Sequence, residues 1–362
     1  MNNTPEKPKI RKIRYRTARP TGREYVAGFV ALCVSLFAFL VLSAVGCTEP
    51  ARPMTTGPTD TVPTRYLTSD AMRVLLESLA DSDPQVRANA IEVVAATKHI
   101  RLMPRVQRLL MDERAPVRFS AILAMGDLQY SLAERDLKQL LNDNDENVRI
   151  AAGYALYRLG HTEYLKVFRN AIASDDQTVR ANAALLLGKS GDSSTLTQRS
   201  LWWTLRRKDS NDKVRFQAAE ALAMLGDEQI YPKLWAMLIS AYADDRVIGI
   251  KAMGALGTHK AKNALITMLD DAVLEVRLAA AEQLGRLNDP IGEPEVLEVF
   301  TKNLTADLDT EGLERVRRFT ALAIGQIGTD SLAKYLPQLL QDESKSVRIA
   351  AAKAVFQHVM KK

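Results

Sequence analysis

Cysteine is almost absent from this chain. Its 362 residues include two, Cys33 and Cys47, and both lie in the first 50. No disulfide framework can therefore staple the larger part of the molecule, even in an oxidising compartment. Histidine is nearly as scarce: His99, His161, His259 and His358 are the whole set, and none is followed by Glu. A P-loop, a nucleotide-binding Gly-rich turn, Cys-x-x-Cys, His-Glu-x-x-His and a Gly-x-Ser-x-Gly elbow are all missing. Net charge is missing too, once the first 25 residues are set aside. Those carry eight basic and two acidic side chains, which account for the whole formal charge of +6, and leave 41 basic and 41 acidic side chains after them. A neutral body with a basic tail argues against a nucleic-acid partner.

What is present is a repeat. The context Asn147-Val148-Arg149-Ile150-Ala151-Ala152 returns with its Arg at Arg87, Arg118, Arg149, Arg180, Arg215, Arg246, Arg277, Arg317 and Arg348. The steps are 31, 31, 31, 35, 31, 31, 40 and 31 residues. Position 0 is taken as the residue before each Arg. Position +4 is then always small, from Ala90 to Ala351, and +8 always apolar, from Val94 to Val355. At 100° per residue, positions 0, +4, +7, +8 and +11 share one stripe, so each segment is a helix buried on several sides. Position +9 is Gly or Ala in seven copies, which lets a neighbouring backbone come close. Acidic turns such as Asp81-Ser82-Asp83-Pro84 precede these helices and suit their N-termini. Gly160, Gly191, Gly226, Gly257 and Gly328 follow them as stop signals. A second apolar helix, for example 132–141 or 164–173, completes each unit. Each recurring Arg stands beside the buried stripe and needs a partner, and the acidic turn of an adjacent repeat supplies one. The nine arginines are thus expected to form a structural ladder.

The turn-Asp, Val-Arg, Ala-Ala, Leu-Gly pattern resembles the HEAT-like repeats named after phycobilisome lyases, from about residue 67 to 358. The resemblance implies an all-α fold: a right-handed α-α superhelix of about nine helix pairs, a HEAT/armadillo-like solenoid. Nine units at ~10 Å each would make a rod or arc about 90 Å long. The resemblance is specific for fold and weak for function, because such folds carry scaffolds, lyases and a few enzymes. Asp245 stands where Val is usual, and the last unit ends in Val359 without Gly. The HEAT-repeat iron hydroxylases share the fold but use paired His-Glu steps, which this chain lacks. His99 and His161 fall two repeats apart, roughly 20 Å at the usual helix spacing, too far to share a metal.

The first 66 residues divide into three. Residues 1–25 are the basic tail. Residues 26–46 contain an apolar run long enough to span a bilayer, as an N-terminal apolar helix acting as signal peptide or transmembrane anchor. The basic residues ahead of it place the N-terminus in the cytoplasm and the repeats outside. Ala44-Val45-Gly46-Cys47 resembles a bacterial lipoprotein signal, which would make Cys47 the lipidated residue. The alternative is an uncleaved signal anchor, since the apolar run is long for a signal core. Residues 47–66 are a Pro- and Thr-rich spacer, and 67–362 form the solenoid.

Two surfaces stand out. Position +6 forms a row across stacked repeats that turns apolar at Leu123, Tyr154 and Leu185. It is either a sticky patch on the inner curve or a place where tight curvature buries these residues against each other. Trp202-Trp203 beside Arg206 and Arg207, at the four-residue insertion, is a partner anchor or a filler of the longer repeat. The nine-residue insertion near 304–314 opens like a calcium loop at Asp307-Leu308-Asp309-Thr310-Glu311-Gly312, but its twelfth position is Arg318, so it reads as a solvated acidic loop. The expectation is a membrane-tethered, extracytoplasmic protein-interaction scaffold, without cofactor, metal or catalytic residues. A lyase or other enzyme of HEAT-like fold is the alternative, to be favoured by a deep polar pocket holding a perturbed carboxylate.

Overall fold

The computed structural model describes residues 64–361, apart from 303 and 307. Cys47, the apolar run 26–46 and most of the spacer lie outside the described residues. Among the described residues no helix is long and apolar enough to cross a membrane. The described chain is all helical, with short 3-10 turns.

Ten helices frame the molecule: α1 (Thr64–Ser78), α2 (Pro84–Ala96), α3 (Ala115–Asp127), α4 (Glu146–Arg158), α5 (Gln177–Ser190), α6 (Asp212–Met224), α7 (Ala243–Leu256), α8 (Leu274–Arg286), α9 (Thr310–Ile327) and α10 (Lys345–Lys361). Helices α2 to α10 carry the nine recurring arginines. Their starts are set by the acidic turns: Asp83, Asp145, Asp176 and Asp309 each accept a backbone N–H of the first turn. Their ends are set by a left-handed residue, Gly at five repeats but Lys98, Gln129 and Asn288 at three others. The second helix of each unit is shorter than its apolar run suggests. Residues 164–173, for example, break into Leu165–Asn170 and a 3-10 turn at Ala171–Ala173.

Small residues at +9 set the spacing between neighbours. A Cβ on Gly285 of α8 would lie 2.7 Å from the backbone carbonyl carbon of Gln326 in α9. One on Gly188 of α5 would lie 2.8 Å from Cα of Ala221 in α6. These helices therefore touch backbone to backbone, and any side chain at those positions would force them apart.

The solenoid does not run out as an arc. Each of α2 to α10 packs on the next, and α10 packs on both α2 and α1. The last repeat has closed on the first. Lys345 on α10 bonds Asp81 in the turn before α2 at 2.7 Å. His99 lies against Phe356, ring centroids 4.0 Å apart, and Lys353 stands 3.9 Å from Glu92. Nine helices at 8–10 Å spacing make a circle about 13 Å in radius at their axes, and subtracting a helix radius of ~5 Å leaves an opening of roughly 16 Å before side chains fill it.

The insertion at 304–314 forms no calcium loop. Helix α9 starts within it at Thr310, and Asp309 caps that start by accepting from the Gly312 N–H at 2.8 Å. Asp307 lies outside the described residues.

Candidate functional site

Closure turns the +6 row into the lining of a lumen. The sticky-patch reading of Leu123, Tyr154 and Leu185 is corrected by their burial, which is near complete at all three. All three side chains belong to the continuous apolar core on that side of the ring, where Tyr154 meets Phe168 edge-on with ring centroids 6.0 Å apart. Tyr154 is wholly enclosed and donates its hydroxyl proton to Asp127 at 2.5 Å, while Lys189 bonds the other oxygen of Asp127 at 2.9 Å. Burial and the Asp127 charge push the Tyr154 phenol above its usual range.

The opposite side of the ring stays open. A chamber of about 730 Å³ is walled by α2, by Lys189 at the end of α5 and by α6 to α10, with Glu92, Glu220, Lys251, Glu282 and Lys353 reaching in from +6. Cationic side chains outnumber carboxylates in its wall, seven to five. Glu282 is buried, and its Oε2 has no hydrogen-bond partner. Protein surrounds Glu92 on every side, yet 36% of its side chain meets the space of the chamber. Burial raises the Glu92 carboxyl above the usual range, opposed by the charges of Lys353, Lys251 and Lys189. Burial lowers the Lys251 ammonium, opposed by Glu282 and Glu220 and reinforced by Arg318. Loss of hydration is the larger cause for both, because each ion is crowded by protein without a counter-ion at hydrogen-bonding distance. Sequence reasoning had Glu92, Lys251 and Glu282 in the +6 row but gave them no role. Their shared repeat position was the signal, and only closure shows that the row faces inward.

The recurring arginines lie away from this chamber, at the turns. Arg87 grips Asp112 through Nε and Nη2, both at 2.9 Å, and donates Nη1 to the carbonyls of Asp81 and Ser82. Arg118 meets Asp143, Arg180 meets Asp209, Arg246 meets Asp271 and Arg317 meets Asp342 in the following repeat. Arg277 uses Glu295. At the positions that would serve Arg149 and Arg215 stand Ser174 and Ser240. Arg149 accordingly donates to the carbonyls of Asp143 and Asn144, and Arg215 to Asp212 and the Lys208 carbonyl. Arg348, in the last repeat, holds the carbonyls of Asp342 and Glu343.

At the four-residue insertion, Trp202 is half-buried and its Nε1 donates to Asp227 at 2.8 Å, with Arg206 over its ring. Trp203 is the exposed member, under the guanidinium of Arg207. An anchor placed on Trp202 is thus corrected to Trp203: one turns into the repeat, so its neighbour, about 100° round the helix, turns out. Trp235 is exposed too and stacks on Tyr231. Among the described residues no group of three or more His, Cys, Asp or Glu is arranged to hold a metal ion.

The family model described as HEAT repeats matches residues 72–140 and 134–198, and that of the PBS lyase HEAT-like repeat matches 214–238. The matched residues carry HEAT repeats. Among curated proteins, the HEAT ring is 26% identical over 248 residues to deoxyhypusine hydroxylase from Eremothecium gossypii, covering 59% of this chain and 73% of the relative. Among solved structures it is similar to the complex of CpcE and CpcF of phycocyanin lyase from Nostoc sp., at 17% identity and TM-score 0.39, over 69% of this chain and 93% of that one. It is also similar to human deoxyhypusine hydroxylase, at 16% identity and TM-score 0.36, over 74% of this chain and 99% of that one. The expectation that the chain is no enzyme is overturned by the curated relative, which is named as a hydroxylase.

Proposed function

We propose that the HEAT ring is an enzyme whose active site is the lumen, working by proton transfer on a small charged ligand held there. One observation carries this reading. Glu92 and Lys251 face the same enclosed chamber, and each is displaced toward its neutral form. A carboxyl that holds its proton toward neutral pH serves as a general acid, and an amine that gives one up serves as a general base. The unpartnered oxygen of Glu282 supplies a fixed acceptor to orient a donor on the ligand. Addition or elimination of the lyase kind needs this pair of roles.

The relative named deoxyhypusine hydroxylase supports an enzymatic reading without supplying its reaction. Iron held by paired His-Glu steps does not fit this chain, in which Ile100, Thr162, Lys260 and Val359 follow the four histidines. No step is routed through a metal.

The test is a thermal-shift screen of charged small molecules against the purified full chain, with turnover of each hit followed by mass spectrometry. A hit that is converted by the wild type and not by Glu92→Gln supports the reading. Hits that bind equally well when Glu92, Lys251 and Glu282 are all replaced would place the site elsewhere.

A second reading, a protein partner docking outside the ring, is favoured by Trp203 with Arg207 across its face. In either case the N-terminal segment would tether the ring to the extracytoplasmic face of a membrane, through a lipidated Cys47 or through an uncleaved anchor at 26–46.

A further inference from the structure

Four lysines enter the chamber, and three are engaged. Lys189 is bonded to Asp127 at 2.9 Å, Lys353 faces Glu92 at 3.9 Å, and Lys213 has a partner as well. Lys251 differs. Midway along α7, it makes no side-chain hydrogen bond or ion pair among the described residues. Charged groups face it from every side of the chamber: Glu220 on α6, Glu282 on α8, Arg318 on α9 and Glu92 on α2. None of the three carboxylates comes within ion-pair distance.

Resting on the reading of the lumen as an active site, we propose that Lys251 is a nucleophilic amine that forms an imine with a small anionic aldehyde or ketone. The class follows from the wall. An amine that no hydrogen bond or ion pair engages is free to attack a carbonyl carbon. The excess of cations around it selects a carbonyl compound that also bears a carboxylate or phosphate. A chamber of about 730 Å³ is of the size that encloses a small metabolite.

The step balances within the chamber. The Lys251 nitrogen bonds to the carbonyl carbon and sheds one proton, which the carbonyl oxygen takes up. In its protonated form Glu92 gives a proton to that hydroxyl, and water leaves as the C–N double bond forms. The nitrogen returns its remaining proton to Glu92. One amine and one carbonyl become one imine and one water, with no oxidant or reductant. The lowered basicity of Lys251 makes more of it available as free amine at neutral pH.

The experiment uses the full chain with pyridoxal 5′-phosphate, an anionic aldehyde, reduced with borohydride at pH 7 and mapped by peptide mass spectrometry. Lysines outside the chamber, exposed Lys98 and Lys208, are the internal controls. Labelling should favour Lys251 several-fold, since the cationic wall gathers the anionic aldehyde beside it and burial lowers its basicity. Lys251→Met should lose the label and keep its helicity, and Glu92→Gln should slow labelling at the same site. Labelling of Lys251 no faster than Lys98 overturns the proposal. If the probe then still binds and is excluded by filling the chamber from its wall (Leu322→Trp), the lumen remains a site without imine chemistry. If the probe does not bind at all, the lumen reading falls with it.

Discussion

Lys345 and Asp81 are 264 residues apart in sequence and 2.7 Å apart in space. That pair marks the seam at which the last HEAT repeat meets the first. At five other interfaces a turn Asp receives the Arg of the repeat before it. At the seam a Lys from the start of α10 takes that place, and Arg348 holds only its own turn.

The seam should weaken in acid. The Lys345 bond and the backbone N–H of Asp83 hold the Asp81 carboxyl below its usual range. A lowered folded-state pKa contributes stability above the unfolded value of about 3.9 and loses it as pH falls through the folded value. Because Lys345 is half exposed, the pair stabilises by no more than ~1 kcal/mol. Asp81→Asn should therefore lower the melting temperature slightly at pH 7 and not at pH 2.5. Small-angle scattering should show the ring closed in both, since α1 and Phe356 also hold the seam.

The buried rungs should matter more than the seam. Arg87 and Asp112 are both nearly inaccessible and doubly bonded. Removing one partner strands the other without water, at a cost of about 3–5 kcal/mol. Asp112→Ala should show this in urea unfolding. Asp212→Ala, at the exposed Arg215 pair, should cost under ~1 kcal/mol.

Gly285→Ala tests the backbone contact between α8 and α9. Its Cβ would meet the Gln326 carbonyl carbon at 2.7 Å, so one helix must move. Overpacking of this kind costs about 1–3 kcal/mol. Lys98→Gly tests the opposite case. Lys98 holds a φ of +54°, which costs a non-Gly residue roughly 1 kcal/mol, and Gly should raise the melting temperature.

Lys251→Met should stabilise the ring while removing its proposed chemistry. A lowered folded-state pKa means that charged Lys251 burdens the fold below its unfolded value of about 10.4. The variant's gain in melting temperature should be full at low pH and vanish as pH approaches 10. Equal melting across that range would show that the ammonium stays well solvated.

Tyr154 belongs to the core. Tyr154→Glu should unfold α4, and Tyr154→Phe, which leaves Asp127 short of one donor, should cost about 1–2 kcal/mol by thermal unfolding.

The period of the arginines, the small +4 and +9 positions and the acidic turns determined the helix pairs, their number and their stacking. Those are local matters: each depends on side chains within one repeat and its neighbour, so a single sequence carries them in full. Left-handed helix ends at Lys98, Gln129 and Asn288 were hidden because no Gly marks them. Closure was decided only in three dimensions. The turn from one repeat to the next is small and set by packing at each interface, and nine such turns add up to a full circle. That sum put Leu123, Tyr154 and Leu185 into the filled side and Glu92, Lys251 and Glu282 around a void. Residues of one repeat position thus became core or site according to where on the circle they fell.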